Sequence, residues 1–342
     1  MKIEQDVSLK PYNSFGIDVK TKYFARFANV DELRELLNVK LQTSNIKPLI
    51  LGGGSNILFT KNIEGCVFKN ELKGIQLVKE DHNHFYVKVA AGENWHQFVM
   101  HCIAHNYAGL ENLSLIPGNI GASPMQNIGA YGAEIKDVFE SLDALNKADG
   151  TIHTFSANDC EFGYRESVFK RKYKDQFVIL DVIFRLNKKP VFNVSYGAVA
   201  QELEKMGVKE LSIAAISQAV INIRSSKLPD PAKIGNAGSF FKNPTISLEE
   251  FHHLEKRVGT NTPIPHYKLD EHHIKVPAAW LIEQSGWKGY REGDAGVHTM
   301  QALVLVNYGN ASGQAIYTLS TKIQSSVKKK FGIELEREVN VI

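Results

Sequence analysis

The chain is poor in cysteine. Cys66, Cys102 and Cys160 are its three, they lie far apart, and none forms a Cys-x-x-Cys pair. That excludes a disulfide framework and a zinc ribbon and fits a reducing compartment. Charge of one sign is also scarce: a net charge of +3 is too small to argue for nucleic acid. It still suits an anionic small molecule if the positive charge gathers in one cleft. No apolar run approaches the ~20 residues needed to cross a membrane, and the N-terminal stretch with Glu4 and Asp6 lacks the apolar core of a signal peptide. Internal repeats, low-complexity tracts and heptads are absent. His252-His253, His266, His272 and His273 match the spacing of no common metal site, so no metal is expected. The expectation is a soluble cytoplasmic protein with no membrane, metal or nucleic-acid partner.

What is present is ordinary for a globular chain: 342 residues, 43% hydrophobic and 23% charged, enough for two or three domains. Val30, Leu33, Leu36 and Leu37 recur at helical spacing behind Asn29 and Asp31, which can cap the start. Lys47 to Leu51 reads as a short strand, and Phe85 to Val89 as a half-buried one. Trp95, Phe98, Val99, Cys102 and Ile103 share a helix face. Residues 177–186 form a buried strand. A helix runs from Ser212 to about Ser226, stopped by Leu228-Pro229-Asp230-Pro231, and a domain boundary is placed near 207, ahead of it. Ser247-Leu248-Glu249-Glu250 has capping-box form. An amphipathic helix after Ser312 ends at Gly332. The last segment alternates as a strand, with Ile333, Leu335, Val339 and Val341 on one face and Glu334, Glu336, Glu338 and Asn340 on the other.

Six segments carry chemistry. Gly52-Gly53-Gly54-Ser55-Asn56 follows a strand, and consecutive glycines let backbone N–H groups converge on an anion; a plain tight turn reads equally well. Residues 116–132 form a longer run with few charges, many small residues and several amides, which suits a large ring and a phosphate chain. Two such loops point to a dinucleotide cofactor. Phe162-Gly163-Tyr164-Arg165 sets a cation beside a phenol, a pairing suited to a carboxylate or enolate, or else to a surface arginine stacked on tyrosine. Arg224 and Lys227 add positive charge at a helix C-terminus. In Gly235-Asn236-Ala237-Gly238-Ser239-Phe240-Phe241-Lys242, a hydroxyl follows small, flexible residues and precedes two aromatics and a lysine, where it could pass a proton to a bound substrate; on this segment alone a glycine-bounded turn with two core aromatics is the favoured reading. Three glutamates share one face of the last segment, and the pattern does not say which of them could act.

Taken together, these stretches resemble the UDP-N-acetylenolpyruvoylglucosamine reductase (MurB) family nearly end to end. The carrying segments are 10–18 (Lys-Pro-Tyr-Asn-Ser-Phe-Gly-Ile-Asp), 51–56, 91–96 (Ala-Gly-Glu-Asn-Trp-His), 109–118, 126–132, 162–165, 227–231 and the Ser239 turn. Tyr196-Gly197 marks the form of the family with an extra substrate-covering loop. The resemblance implies an α+β chain: an FAD-binding fold of the p-cresol methylhydroxylase type at about 17–189, in subdomains 1–72 and 73–206, and a substrate domain at 207–342. It implies FAD as cofactor, NADPH as co-substrate and UDP-N-acetylglucosamine enolpyruvate as the compound reduced to UDP-N-acetylmuramate, by a monomer.

By the same resemblance Ser239 donates the proton, and Arg165 and Glu338 stabilise the enolate, Glu338 in a form that holds or shares a proton. Cofactor positions would be Gly52, Gly53, Gly54, Ser55 and Asn56 in the first loop. In the second they would be Pro117, Gly118, Gly121, Ala122, Ser123, Gln126, Asn127, Gly129, Tyr131 and Gly132, with Arg224 beyond it. Substrate positions would be Tyr164, Tyr196, Lys227, Asn243, Tyr267, Lys288 and Gln301, with Lys227 also easing deprotonation of Ser239. Some relatives carry an acidic residue where Gly53 stands and a serine where Ala122 stands.

Overall fold

In the computed structural model, residues 2–39, 48–259 and 263–342 are described; Lys47, at the head of one expected strand, lies outside them. The chain divides into two compact units. One contains 1–7, 20–53 and 63–226; the other contains 8–19, 54–62 and 227–342. Each mixes helix with sheet.

Among the described residues the first unit holds two larger sheets and a two-stranded hairpin at 129–134. In one, Leu49–Leu51 and Lys20–Phe27 both run parallel to Ile63–Asn70, which lies between them. The helix Val30–Asn38 covers this sheet, and the Asn29 side chain caps it by accepting the Glu32 N–H. Leu33 and Leu36 are buried as their spacing predicts. The other sheet has five antiparallel strands in the order 152–156, 139–146, 177–187, 84–90, 75–80. Phe177–Asn187 is central, which explains its near-continuous apolar sequence. The helix Trp95–Ala104 packs on this sheet, with Trp95 and Phe98 against Phe184 at ring separations of 5.9 and 5.2 Å. The helix Ile213–Lys227, which follows the expected boundary near 207, buries Ile216, Val220 and Ile223 with Val199 and Leu203 of the helix Gly197–Lys205.

The second unit is built on an antiparallel sheet in the order 235–239, 304–307, 295–297, 291–292. The helix Gly313–Phe331 buries Ile316, Leu319, Ile323 and Val327. Ser312 caps its start and Gly332, at φ 80°, ends it. Ser247 and Glu250 form the expected capping box of the helix Leu248–Val258.

The C-terminal segment differs from its expected form. Only Asn340–Val341 is strand, paired in parallel with Ile57–Leu58. Before it the backbone makes an isolated bridge, Phe241 opposite Arg337. Ile333, Leu335 and Val339 are buried as the alternation requires, but Val341 is 37% exposed. The chain exchanges one partner for another at this point, so the period-2 pattern is broken where the pairing changes.

Candidate active site

Within the first unit, the two glycine-rich loops meet. A Cβ on Gly53 would lie 2.8 Å from Asn119 Oδ1 and 2.9 Å from Gly118 Cα, so glycine is required there by close approach. Lys69, on the neighbouring strand, donates to the Gly52 carbonyl at 2.8 Å, and burial lowers its pKa. Residues 129–134 form a small hairpin whose two loop residues, Tyr131 (φ 49°) and Gly132 (φ 82°), are both left-handed, the signature of a type I′ loop. Asn112, buried, donates to the Tyr131 and Asn193 carbonyls at 2.9 Å each. Asn193 donates in turn to the Gly132 carbonyl at 2.8 Å. The Tyr131 and Tyr196 rings lie edge to face at 5.3 Å.

Arg224 donates through Nε to the Leu115 carbonyl at 3.2 Å and is hydrogen-bonded to the Tyr131 phenol. Burial lowers the Arg224 pKa and raises that of Tyr131. Some expected cofactor residues have side chains already bonded to other protein groups. Asn127 is buried, with its amide donating to Glu134 and to the Gly163 carbonyl and its oxygen accepting the Lys136 N–H. The Ser123 hydroxyl donates to the Ile120 carbonyl at 2.7 Å. Gly121 N–H donates to the Ala91 carbonyl at 2.9 Å, and a Cβ there would meet Ala91 Cβ at 2.7 Å. Such residues can serve a cofactor through loop shape and backbone, not through their side chains.

Arg165 sits at the tip of a tight turn between Gly163 and Glu166, with φ 54°. Its guanidinium donates to the Gly129 carbonyl, reaches the Asn127 carbonyl at 3.4 Å and stands 5.4 Å from the Tyr164 ring centroid. The arginine is therefore stacked on tyrosine and anchored on the second glycine loop at once.

In the second unit, Gly235–Ser239 is a strand and not a free turn, broken in register between Asn236 and Ser239, where Gly238 has φ 70°. Asn236, buried, accepts the Gly238 N–H at 3.0 Å and donates to the carbonyls of Pro229 and Ile234. Ser239 is exposed, and among the described residues its hydroxyl has no hydrogen-bond partner. Phe240 and Phe241 are fully buried behind it. Lys242, the nearby cation in sequence, is buried and bonded to Glu336 at 2.6 Å. Lys227 is exposed at its helix end.

The three C-terminal glutamates separate cleanly. Glu334 pairs with Lys328 and Glu336 with Lys242, and their side chains are largely exposed. Glu338 is half-buried, and its N–H donates to the Phe240 carbonyl at 2.8 Å. That bond places Glu338 beside the residue after Ser239. Of the substrate candidates, Asn243 Oδ1 accepts the Ala278 N–H at 2.9 Å at the head of helix Ala278–Gln284. Lys288 pairs with Glu283 at 2.9 Å. Gln301 accepts the Leu303 N–H, and Tyr267 is 56% exposed on a hairpin.

Residues that the sequence reading did not single out are asparagines and a lysine that hold these loops: Lys69, Asn112, Asn193 and Asn236. Asn236, directly after Gly235, is the one that turn chemistry could have flagged; Lys69, Asn112 and Asn193 stand beside no glycine and carry no such signal.

The residues fit FAD. Two glycine loops in close approach offer backbone and small side chains, and Arg224 brings one cation into a region poor in charge. The Ser14 hydroxyl, whose own N–H donates to the Gly54 carbonyl at 3.0 Å, is buried with no partner among the described residues. The comparisons agree. A family model described as an FAD binding domain matches residues 21–156, and one described as the C-terminal domain of UDP-N-acetylenolpyruvoylglucosamine reductase matches 230–342. The UDP-N-acetylenolpyruvoylglucosamine reductase of Flavobacterium johnsoniae is 50% identical over 100% of both chains. That of Pseudomonas putida is 48% identical over 99% of this chain and 98% of its own. The crystal structure of the Thermus caldophilus enzyme shares the fold, with a TM-score of 0.68 at 21% identity over 100% of this chain and 99% of that one. Identity at this level, end to end and across both matched domains, leaves one assignment: the chain belongs to the UDP-N-acetylenolpyruvoylglucosamine reductase family.

Proposed function

We propose that the protein reduces UDP-N-acetylglucosamine enolpyruvate to UDP-N-acetylmuramate, with FAD as bound cofactor and NADPH as reductant, in peptidoglycan precursor synthesis. The observation that carries this is in the second unit: an exposed serine hydroxyl with no hydrogen-bond partner among the described residues, backed by Phe240, across which the half-buried Glu338 is fixed. When bound, FAD would supply the redox chemistry, the passage of a hydride from NADPH to the terminal carbon of the enolpyruvyl group.

The protein's residues manage the charge and the proton. Hydride addition pushes an electron pair toward the substrate carboxylate, so an enolate develops. Arg165, anchored on the Gly129 carbonyl, presents a fixed cation to it, which costs no reorganisation during reaction. Glu338 in its protonated form would also stabilise the enolate; ionised, it would repel it. Ser239 Oγ gives its proton to the carbon next to the carboxylate and recovers one from solvent. Positive charge from Lys227 lowers the cost of that transfer. Tyr164, Tyr196, Asn243 and Gln301 orient the substrate, and Tyr267 and Lys288 take its diphosphate. FAD would be held by Gly52, Gly53, Gly54, Ser55 and Asn56, by Pro117, Gly118, Gly121, Ala122, Ser123, Gln126, Asn127, Gly129, Tyr131 and Gly132, and by Arg224. The reading takes the protein as a cytoplasmic monomer.

The test is NADPH oxidation by the purified protein. It should require the enolpyruvyl substrate and yield UDP-N-acetylmuramate, and the protein should carry flavin absorbance near ~450 nm. A colourless protein, or oxidation indifferent to the substrate, contradicts the proposal.

A further inference from the structure

The pair Trp95-His96 opens a helix in the first unit and fixes one segment of chain at three points. Trp95 N–H donates to the Gly118 carbonyl at 3.0 Å, and the indole Nε1 donates to the Leu113 carbonyl at 2.9 Å. His96, half-buried, accepts the Leu115 N–H on Nδ1 at 3.0 Å. Leu115 has φ 58°, a left-handed conformation that a leucine adopts only when its surroundings enforce it. Its carbonyl is held from the other side by Arg224 Nε at 3.2 Å. Pro117 and Gly118 follow directly, and Gly118 is the residue whose approach leaves no room for a Cβ on Gly53.

We propose that His96 is a positioning residue for the cofactor loop: as a neutral acceptor it keeps Leu115 left-handed, so that Pro117-Gly118 meets Gly53 and FAD is retained. The role demands one tautomer, with the proton on Nε2 and the lone pair of Nδ1 facing Leu115. Two features of the surroundings favour the neutral ring. Burial lowers the His96 pKa from its ordinary 6.5, and the Arg224 cation lowers it further. The groups that face the ring and bear on its charge are Arg224 and, bonded to Arg224, the Tyr131 phenol. The sign follows. Above the ordinary histidine range the acceptor is present. As pH falls below it, Nδ1 takes a proton, two donors confront each other at Leu115, and an imidazolium stands near a guanidinium.

This rests on FAD being the bound cofactor, so FAD retention by the wild-type holoenzyme at neutral pH is checked separately. The experiment measures FAD release from diluted holoenzyme by the rise of free-flavin fluorescence, at about pH 7.5 and about pH 5.5. Three proteins are compared: wild type, His96→Leu and His96→Asn, whose side-chain oxygen can stand near the Nδ1 position. His96→Leu should release FAD about tenfold faster at the higher pH, the effect of one lost hydrogen bond to a strained residue. Wild type should speed up at the lower pH. His96→Asn should keep the wild-type rate at the higher pH and show no acid acceleration, because it has no proton to gain. If His96→Leu does not fold, the contrast between wild type and His96→Asn still decides. The proposal is overturned if His96→Leu retains FAD like wild type, or if His96→Asn shows the same acid acceleration. A wild type that carries no FAD overturns the cofactor reading as well.

Discussion

The backbone N–H of Glu338 donates to the carbonyl of Phe240, the residue after Ser239, at 2.8 Å. One hydrogen bond thus ties the C-terminal segment to the strand that ends in the proposed acid. It also selects among three glutamates that are equivalent by pattern, because its neighbours Glu334 and Glu336 are engaged by lysines at the surface. If Glu338 acts as a neutral donor to the enolate, the amide in Glu338→Gln keeps that capacity and Glu338→Ala does not. Substrate-dependent reoxidation of the flavin should slow by roughly 10²–10³ in the alanine variant, and clearly less in the glutamine variant. A glutamine variant slower than alanine would show that the carboxylate works in its ionised form.

Gly53 tests the meeting of the two loops. Gly53→Ala sets a methyl group 2.8–2.9 Å from Asn119 Oδ1 and Gly118 Cα, closer than atoms can pack, so the second loop must shift. The expected cost is about 1–3 kcal/mol, read as a lower melting temperature together with faster FAD release. At Gly52 the nearest atom to an added Cβ is 3.8 Å away, and Gly52→Ala should leave the melting temperature close to wild type. Equal melting temperatures for the two variants would contradict the close approach.

Asn236 holds the strand break that precedes Ser239 through three hydrogen bonds, to Gly238, Pro229 and Ile234. Asn236→Ala leaves buried backbone groups unpaired and should cost about 2–4 kcal/mol in denaturant unfolding. Protonation of substrate should also slow, since the Ser239 hydroxyl loses its fixed backbone. A variant with wild-type stability would place the order of this turn elsewhere.

Glu111 gives a pH signature outside the chemistry. Burial raises its pKa above 4.5, against the lowering effect of the backbone N–H groups of Glu111, Gly109 and Leu110. A raised folded-state pKa means that the contribution to stability is full below 4.5 and is lost as pH climbs through the folded value. Glu111→Gln cannot titrate. The stability difference, wild type minus variant, should therefore fall as pH rises from about 4 toward neutrality. A difference independent of pH would mean that Glu111 carries the same charge in both states.

Much of this was legible in the sequence. The caps at Asn29, Ser247, Ser312 and Gly332 fall where local hydrogen bonding dictates, and Phe177–Asn187 is the central strand its mostly apolar sequence suggests, with Val178, Ile179, Leu180, Val182, Phe184 and Leu186 buried and Arg185 exposed. What stayed hidden depends on partners distant in sequence. The last segment reads as one strand because the alternation persists, but its backbone partners change from Phe240–Lys242 to Ile57–Leu58. Lys242 reads as a free cation beside Ser239 until Glu336, 94 residues on, is found bonded to it. Asn127 and Ser123 are cofactor positions by the resemblance, and their side chains already have protein partners, Asn127 at the Gly163 carbonyl and Ser123 at the Ile120 carbonyl. Composition located the loops. It did not tell which polar groups were already used.

The central claim is that Ser239 is an acid that serves only the second half of the reaction. It is tested most directly by Ser239→Ala in single-turnover measurements that separate the two halves. NADPH should reduce the flavin at the wild-type rate. Reoxidation by UDP-N-acetylglucosamine enolpyruvate should slow by roughly 10²–10⁴, the usual contribution of a general acid. Reoxidation of the variant at the wild-type rate would remove Ser239 as the proton donor and contradict the account.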